Sequence, residues 1–356
     1  MSKLDQLVVS PSSCIREVMV CIDRGAQGIA LVLDDDGSLI STVTDGDIRR
    51  AILSGMDLDL SVGELLLRRD PTFHSGPVTA PAGTSDESLL HLMSEKSLRQ
   101  IPLVNEQGRV VDIALLSELV KDYELPLMRA VVMAGGYGKR LRPLTDELPK
   151  PMLPVGDRPL LEIIVNGLRE AGIRQVNMAT HYKGEMIANH FKNGEDFGVD
   201  IRYVNEDQPL GTAGALSLLE ESNDPLLVIN GDILTRVDFR AMLNFHREHD
   251  AELTVGVRQY EFSVPYGVID TDGVSVRGIS EKPVVRQFIN AGIYLLNPSV
   301  RQLIPNGQHY DIPDLIHQLL KDGRNVVSFP IREYWLDIGK SEQYDQANID
   351  LAAGRF

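Results

Sequence analysis

The stretch Met133-Ala134-Gly135-Gly136-Tyr137-Gly138-Lys139-Arg140-Leu141-Arg142-Pro143-Leu144-Thr145 determines the fold of the larger part of this 356-residue chain. It follows a short apolar run at 130–133, which has the composition of a buried strand. Its clustered glycines allow a backbone to approach a phosphate chain and present N–H groups without side-chain obstruction. The stretch has neither the ending of a Walker A motif nor the glycine spacing of the dinucleotide fingerprint. We therefore predict a phosphate-binding loop of another kind.

Apolar runs alternate with helical patterns along the chain after this loop. Strands are predicted at 176–179, 201–204, 226–229 and 253–257, and helices at 160–171 and 210–221. Such alternation is typical of an α/β domain with a largely parallel, buried sheet. Ligands of such sheets bind at the carboxyl ends of the strands, so the residues just after each run are the candidates for function.

The charge balance limits the possible ligands. Lys and Arg total 35 against 51 Asp and Glu, and the resulting net charge of −16 repels nucleic acid and anionic membranes. No apolar run approaches the ~20 residues of a membrane span, and the first residues lack a secretory pattern. Two cysteines, Cys14 and Cys21, make no disulfide framework. The sequence thus predicts a soluble, cytoplasmic protein without nucleic-acid or membrane partners.

An anionic substrate of such an acidic protein needs a local basic site. The glycine-rich loop supplies Lys139, Arg140 and Arg142, and Lys150 follows between two prolines. Prolines fix the backbone where a flexible surface lysine would need no fixing. The alternative is a glycine turn with a solvated basic face. The concentration of cations favours phosphate binding.

The loop, together with Pro149-Lys150-Pro151-Met152-Leu153-Pro154-Val155, resembles the signature of the sugar-1-phosphate nucleotidyltransferases. The resemblance covers roughly residues 129–350 and implies a Rossmann-like mixed sheet. It implies catalytic roles for Arg140 and Lys150 in stabilising the charge that develops at the reacting phosphates. The family usually has Thr or Ser where this chain has Lys139. The resemblance also implies nucleotide contacts from the loop residues Ala134, Gly135, Gly136 and Gly138.

Two aspartates are candidate ligands of Mg²⁺, which prefers one or two carboxylates together with substrate phosphates. Asp232 follows the strand 226–230, and Asp337 lies in Trp335-Leu336-Asp337-Ile338-Gly339. Taken alone, either could be a turn or capping aspartate. Both match positions that hold the metal in the family, so the resemblance implies a magnesium site.

Other matches imply substrate contacts. Gln208 and Gly211 resemble the segment that recognises the nucleobase, and Glu281, Lys282 and Asn290 resemble the sugar-phosphate contacts. The alternatives are a surface salt pair for Glu281 and Lys282 and a turn amide for Asn290. A sugar phosphate is largely dianionic at neutral pH and needs no general base. We expect its oxygen to attack the α-phosphorus in line, with pyrophosphate leaving and no covalent enzyme intermediate. The histidines His181, His190, His246 and His249 are interpreted as surface or packing residues.

The first 125 residues contain a repeat. Strands at 29–33 and 101–104 each run into an Asp/Asn-Gly turn, a second strand and a helix, and the turn glycines Gly37 and Gly108 are 71 residues apart. With Thr44-Asp45-Gly46-Asp47, this module resembles an α+β pair of cystathionine-β-synthase-type (CBS) domains, with units at about 1–64 and 71–124. Proline stops the helix at 123–126, so we place the module at 1–125 and the transferase at 128–356.

CBS pairs commonly bind adenosine-containing ligands, and the resemblance implies that Thr44 and Asp47 bind such a ligand. The second repeat has Leu115 and Glu118 at the equivalent positions, so it implies one intact site. The alternative is that Thr44 and Asp47 only cap a helix, and that the module serves dimerisation. We expect a homo-oligomer.

Proteins that combine these two parts resemble guanylyltransferases of bacterial surface-sugar pathways, including those leading to nonulosonic acids such as legionaminic acid. GTP and either glucosamine-1-phosphate or mannose-1-phosphate are therefore the favoured substrates. UTP, CTP or dTTP stay open, as does a non-catalytic nucleotide-sugar sensor. The chain carries no hexapeptide repeats of a left-handed β-helix, which argues against a bifunctional acetylating enzyme.

Overall fold

The computed structural model of the chain describes residues 4–25, 27–69, 76–96, 98–119, 128–206 and 208–356. The chain divides into two compact units, Met1–Glu124 and Leu125–Phe356. The predicted proline break at 123–126 lies outside the described residues. Among the described residues, no helix combines the length and the apolar character that crossing a membrane requires.

The N-terminal unit contains two small sheets of the same topology. Its strands are β1 (Val8–Val9), β2 (Ile29–Leu33), β3 (Leu39–Thr44), β4 (Ala80–Pro81), β5 (Gln100–Val104) and β6 (Val110–Leu115). Its helices are α1 (Ile15–Gly25), α2 (Asp45–Leu53), α3 (Val62–Leu67), α4 (Asp86–Glu95) and α5 (Leu116–Leu119), after a 3₁₀ turn at Leu4–Gln6. The sheets run β1-β2-β3 and β4-β5-β6, and in each the first two strands are parallel and the last two antiparallel.

The predicted hairpins form because their turns have the right chemistry. Asp34 Oδ1 accepts hydrogen bonds from two backbone N–H groups in the first turn, and Asn105 Oδ1 does the same in the second. Gly37 (φ 80°) and Gly108 (φ 76°) adopt the left-handed conformation that these turns need. The sequence prediction missed β1 and β4, because a strand of two residues shows no alternation.

The two repeats share one apolar cluster. Leu31 from the first and Ile113 from the second are buried in it. Gln100 Nε2 also donates to the carbonyl oxygen of Gln27, at 2.7 Å. A single repeat is too small to bury a good core alone, so shared burial stabilises both.

The C-terminal unit is built around one large sheet. Its strands are β7 (Arg129–Met133), β8 (Pro154–Val155), β9 (Arg158–Pro159), β10 (Gln175–Thr180), β11 (Asp200–Asn205), β12 (Leu226–Asn230), β13 (Ile233–Thr235), β14 (Leu253–Ser263), β15 (Val268–Asp272), β16 (Ser275–Ser280), β17 (Val284–Leu296), β18 (Val326–Pro330) and β19 (Trp335–Asp337). Its helices are α6 (Leu160–Glu170), α7 (Gly184–Phe191), α8 (Gly211–Gly214), α9 (Phe239–Glu248), α10 (Ile312–Lys321) and α11 (Ser341–Ala352). Short 3₁₀ helices lie at Lys139–Leu141, Lys150–Met152, Glu195–Phe197, Ala215–Leu218 and Pro298–Leu303.

The large sheet has the order β11-β10-β7-β12-β17-β14-β18. The first four strands are parallel, whereas β17 runs antiparallel to both β12 and β14. The predicted mixed α/β sheet is therefore confirmed. Because β7 lies between β10 and β12, the loop after β7 has neighbours on both sides.

The helix predicted at 210–221 is wrong. The α-helix covers only Gly211–Gly214 and is followed by the 3₁₀ helix Ala215–Leu218. The backbone N–H groups of Ala213 and Gly214 donate to the carbonyl oxygen of Tyr310, and a Cβ on Gly214 would lie 2.7 Å from the Gln308 oxygen. These long-range contacts fix a tight turn where the sequence pattern alone favours a longer helix.

The predicted packing role holds for His246. The side chain is buried, and its Nδ1 lies 2.8 Å from Thr254 Oγ1. Burial lowers the pKa of His246 to about 4, so the ring is neutral at physiological pH. It therefore holds α9 on β14 as an uncharged core group.

Candidate active site

The phosphate loop and the loop carrying Asp232 begin side by side. In the parallel pairing of β7 and β12, Asn230 is in register with Met133. The Gly231 N–H donates to the Met133 carbonyl oxygen at 2.9 Å, and a Cβ on Gly231 would lie 2.8 Å from that oxygen. A glycine is therefore needed between Asn230 and Asp232, and it brings Asp232 against the phosphate loop.

The three loop glycines have different reasons for lacking a side chain. A Cβ on Gly135 would lie 3.2 Å from His181, and one on Gly138 (φ 62°) would lie 2.8 Å from Thr145. Packing and backbone conformation thus account for these two. A Cβ on Gly136 would meet nothing within 4 Å. The backbone at Gly136 faces open space, as a surface that receives a ligand does.

Lys150 is held close to the glycine loop, as predicted from its flanking prolines. It begins the 3₁₀ helix Lys150–Met152, and a Cβ on Gly138 would lie 3.1 Å from its own Cβ. Its side chain is only 10% exposed, and its Nζ lies 2.5 Å from Asp232 Oδ2. The resemblance implies that the lysine binds phosphate and the aspartate binds metal, whereas the structure pairs the two groups with each other.

Asp337 reaches the same place through a small ribbon. β19 pairs antiparallel with β13 so that Asp337 is opposite Ile233, and the Ile338 N–H donates to the Asp232 carbonyl oxygen at 3.0 Å. A Cβ on Gly339 would lie 3.5 Å from the Asp337 carboxylate and 3.6 Å from the Arg140 guanidinium. The structure therefore brings together all four residues predicted for catalysis and metal binding.

The charges of this cluster make the ionised form of Asp337 unfavourable. Burial and then repulsion from Asp232 raise the pKa of Asp337, while Lys150 and Arg140 act in the opposite direction. The Asp337 side chain is nevertheless exposed to solvent, so its desolvation is only partial. A group that binds opposite both aspartates and adds positive charge would relieve this repulsion.

The donor set suits a magnesium ion. The chain offers two neighbouring carboxylates, and Mg²⁺ is usually bound by one or two carboxylates plus substrate phosphates. Within the described ranges, no group of three or more His, Cys, Asp or Glu side chains forms a self-sufficient metal cage. Asp232 and Asp337 fit a metal that arrives with its phosphate substrate.

The sequence analysis did not predict an aromatic cluster that lies beside the phosphate loop. The Tyr137 hydroxyl lies 3.1 Å from His181 Nε2, and His181 Nδ1 lies 3.0 Å from the Glu206 carbonyl oxygen. Tyr137 also packs on Tyr182, with ring centroids 5.2 Å apart. The available signal was position, because His181 directly follows β10, just as the loop follows β7. His181 packs as predicted, but it packs against the candidate site.

Comparisons with known proteins identify the family of the C-terminal unit. The model of the nucleotidyl transferase family matches residues 129–354, and a CBS domain model matches residues 62–124. The chain belongs to the nucleotidyl transferase family. The proposed first CBS unit rests on the repeated topology, since the CBS match covers the second repeat.

Several relatives of the nucleotidyl transferase unit are known. The mannose-1-phosphate guanyltransferases of Pichia angusta and Candida albicans are 38% and 36% identical, over 61% of this chain and 62% of each relative. The chain thus matches less than two thirds of their length. A Bacillus anthracis protein assigned as a glucose-1-phosphate thymidylyltransferase has a similar structure (28% identity, TM-score 0.51, covering 64% of this chain and 95% of that one). HddC from Yersinia pseudotuberculosis is also similar (26% identity, TM-score 0.50, covering 63% and 99%).

The predicted base-recognition segment of the nucleotidyl transferase unit has mixed support. Gln208 is exposed and available to a ligand. Packing within the protein already requires a glycine at position 211 (φ 78°), because a Cβ there would lie 2.6 Å from Asp311 Oδ1 and 2.8 Å from the Tyr310 carbonyl oxygen. Close approach at Gly211 is therefore used by the chain itself, and its contact with a base stays a prediction.

The predicted sugar contacts lie at strand β17 and just before it. Glu281 and Lys282 are exposed, and in the described part of the chain they form no ion pair with each other. The Asn290 side chain is engaged, since its Nδ2 donates to the Tyr294 hydroxyl at 2.7 Å and its Oδ1 accepts from the Gly292 N–H at 3.0 Å. A sugar that uses the Asn290 amide would therefore share it with strand β17.

Asn230 is a second residue that sequence analysis missed. A Cβ on Gly292 (φ 69°) would lie 2.7 Å from its Nδ2, so the amide packs directly on β17. Its Oδ1 is buried and has no hydrogen-bond partner among the described residues. Asn230 thus connects the Asp232 loop to the strand that carries Asn290.

In the N-terminal unit, Thr44 and Asp47 form a capping box on α2. The Asp47 N–H donates to Thr44 Oγ1 at 3.3 Å, and Asp47 Oδ2 accepts from the Thr44 N–H at 2.8 Å. The Asp47 carboxylate also accepts from Arg50 and Arg69, at 2.8 and 3.0 Å. Thr44 and Asp47 thus cap helix α2 in the structure, as the alternative interpretation expects. A ribose that binds Asp47 would have to replace some of these hydrogen-bond donors.

Proposed function

We propose that this chain is a sugar-1-phosphate nucleotidyltransferase. It transfers a nucleotidyl group from a nucleoside triphosphate to a sugar-1-phosphate and releases pyrophosphate. The convergence of Arg140, Lys150, Asp232 and Asp337 beside the open backbone of Gly136 carries this proposal. A non-catalytic sensor would need the glycine loop but not this complete set of charged groups.

The chemistry follows from the charges. A phosphate-monoester oxygen of the sugar-1-phosphate attacks the α-phosphorus, the new P–O bond forms, and the bond to pyrophosphate breaks. Arg140 and Lys150 donate to the phosphate oxygens on which charge develops, and no proton has to be removed from the nucleophile. Asp232 and Asp337 would hold Mg²⁺, which neutralises phosphate charge when bound.

GTP is the favoured nucleotide, and mannose-1-phosphate or glucosamine-1-phosphate the favoured sugar. The relatives named as mannose-1-phosphate guanyltransferases support GTP and mannose-1-phosphate. The resemblance of this combination of CBS and transferase units to guanylyltransferases of bacterial surface-sugar pathways favours glucosamine-1-phosphate and a role in such a pathway, including that of legionaminic acid. We also propose a cytoplasmic homo-oligomer.

The decisive test is pyrophosphate release over a matrix of nucleoside triphosphates and sugar-1-phosphates with Mg²⁺. We expect GTP to give the highest kcat/KM with one of the two favoured sugars. A higher kcat/KM with UTP, CTP or dTTP would keep the reaction type and overturn the choice of base. Nucleotide binding without pyrophosphate release in any combination would establish the sensor alternative.

We further propose that the N-terminal module binds one adenosine-type ligand through Thr44 and Asp47. An aspartate can accept from both ribose hydroxyls and a threonine can donate to phosphate, which Leu115 of the second repeat cannot do. Calorimetry with AMP, ADP and ATP should show one site per chain in the wild type and none in Asp47→Ala. Coupling to the transferase should change substrate affinity about 5- to 150-fold.

The chain offers a matched control for the loss of the helix cap. Ser61 and Glu64 form the same capping box on α3, with the Glu64 N–H 3.3 Å from Ser61 Oγ. Glu64→Ala should remove a comparable cap and keep the ligand. Equal binding by wild type and Asp47→Ala, or no binding by the wild type, would contradict the ligand proposal and leave the module a dimerisation element.

A further inference from the structure

Lys139 occupies a distinctive place in the phosphate loop. It is the first residue of the 3₁₀ helix Lys139–Leu141 and follows Gly138 in its left-handed conformation. The side chain is exposed, and its Nζ lies 5.4 Å from the centre of the Tyr137 ring. Tyr137 is in turn held by the hydrogen bond to His181 after β10. The ammonium group therefore lies toward the β10 side of the loop.

The other cations of this region have acidic neighbours. Lys150 pairs with Asp232 at 2.5 Å, and Arg142 pairs with Asp146 at 3.3 Å. Among the described residues, neither Arg140 nor Lys139 forms an ion pair. Arg140 borders Gly339 together with Asp337, and its charge acts to lower the pKa of that aspartate, whereas Lys139 lies over the Tyr137 ring. Lys139 is therefore a positive charge of the loop that no ion pair neutralises.

The sheet order separates this charge from the aspartates. Asp232 follows β12 and His181 follows β10, and β7 lies between these two strands. The open backbone of Gly136 is located in the loop between them. A polyphosphate with one end at the carboxylates would thus extend over Gly136 and meet Lys139.

We propose that Lys139 binds the β- and γ-phosphates of the nucleoside triphosphate, and equally the pyrophosphate product. The inference rests on the proposed function and adds a residue that recognises the triphosphate tail. A lysine suits this task because its flexible four-carbon stem can swing from the Tyr137 ring to a phosphate oxygen while its ammonium offers three donors. The Thr or Ser that the family usually has at this position offers a hydroxyl group and carries no charge.

Equilibrium binding of GTP, GMP and pyrophosphate with Mg²⁺ tests the assignment. Lys139→Thr should weaken GTP and pyrophosphate about tenfold, the loss expected for one hydrogen bond to a charged group. GMP and the sugar-1-phosphate should bind as in the wild type. The salt dependence of GTP affinity should also decrease, and Lys139→Arg should restore most of the affinity.

Lys183→Met is the matched control. The Nζ of Lys183 lies 5.3 Å from the Tyr182 ring and donates to the Asp146 carbonyl oxygen. The substitution therefore removes a similar lysine–tyrosine contact next to the site. GTP affinity should be unchanged in this variant. If Lys139→Thr weakens GMP as much as GTP, or weakens neither, Lys139 does not read the tail. If the wild type binds no nucleoside triphosphate, the proposed function itself fails.

Discussion

Asp232→Asn and Asp337→Asn should each lower the rate of pyrophosphate release by orders of magnitude, yet they should affect stability in different ways. In the proposed mechanism each removes a carboxylate that would hold the metal, and the metal would neutralise charge at the reacting phosphates. The loss should be largest at limiting Mg²⁺. Near-wild-type turnover by either variant under that condition would overturn the metal assignment.

The expected difference in stability follows from the partners of the two aspartates. Asp232→Asn leaves the ammonium of Lys150, whose side chain is 10% exposed, without its ion pair at 2.5 Å. The asparagine oxygen can still accept a hydrogen bond from this ammonium but carries no charge, and leaving a largely buried charge without its counter-charge costs about 1–3 kcal/mol of folding free energy. We therefore expect a lower melting temperature for Asp232→Asn.

Asp337→Asn should melt at the same temperature as the wild type or higher. The raised pKa of Asp337 means that its ionised form is less favourable in the folded protein than in the unfolded chain. Ionisation of Asp337 therefore lowers the stability of the wild type as the pH rises from the pKa of the unfolded chain through the pKa of the folded protein. Asparagine carries no charge, so the variant should lack that loss. Equal destabilisation by both substitutions would contradict the electrostatic picture.

Asp146→Asn is a suitable control for both variants. Asp146 lies in the loop after β7 and is half-exposed, and among the described residues its side chain forms an ion pair only with Arg142. Its substitution should leave turnover and its magnesium dependence close to wild type. The measurement is pyrophosphate release against Mg²⁺ concentration, with a thermal melt of each variant.

The sequence was most informative where the relevant residues are contiguous. The glycine loop, its cations and Lys150 all lie between positions 133 and 151, so their chemistry could be predicted from local composition. The hairpin turns at Gly37 and Gly108 were predictable for the same reason, because an Asx-Gly turn needs only neighbouring residues.

Long-range pairing explains what the sequence could not provide. Asp337 meets Asp232 only because the three-residue strands β13 and β19 pair across about a hundred residues, and such short strands have no periodicity. Only family resemblance joined the two aspartates in advance. The contact between Tyr137 and His181, and the packing of Asn230 on Gly292, likewise depend on which strands become neighbours.

Lys150→Ala should damage catalysis far more than it damages folding. The structure places its ammonium beside Asp232 and its Cβ near Gly138, so the side chain reaches from the phosphate loop to the proposed metal ligand. Loss of a preorganised donor to a developing phosphate charge typically costs about 10²–10³ in turnover. Asp232 is more exposed than Lys150, at 27% of its side chain, so water can replace the lost partner. A fall in melting temperature of a few degrees is expected for about 1 kcal/mol in a domain of this size.

Two comparisons separate catalysis from structure in this variant. Adding the substitution to Asp232→Asn should restore part of the stability, because the double variant leaves neither charge of the pair behind. It should restore no turnover, since both phosphate-directed groups are then missing. Excess Mg²⁺ should not rescue Lys150→Ala, because a freed Asp232 carboxylate does not replace a donor to phosphate. If the variant instead unfolds while its folded fraction keeps wild-type specific activity, Lys150 serves only to hold Asp232 in place.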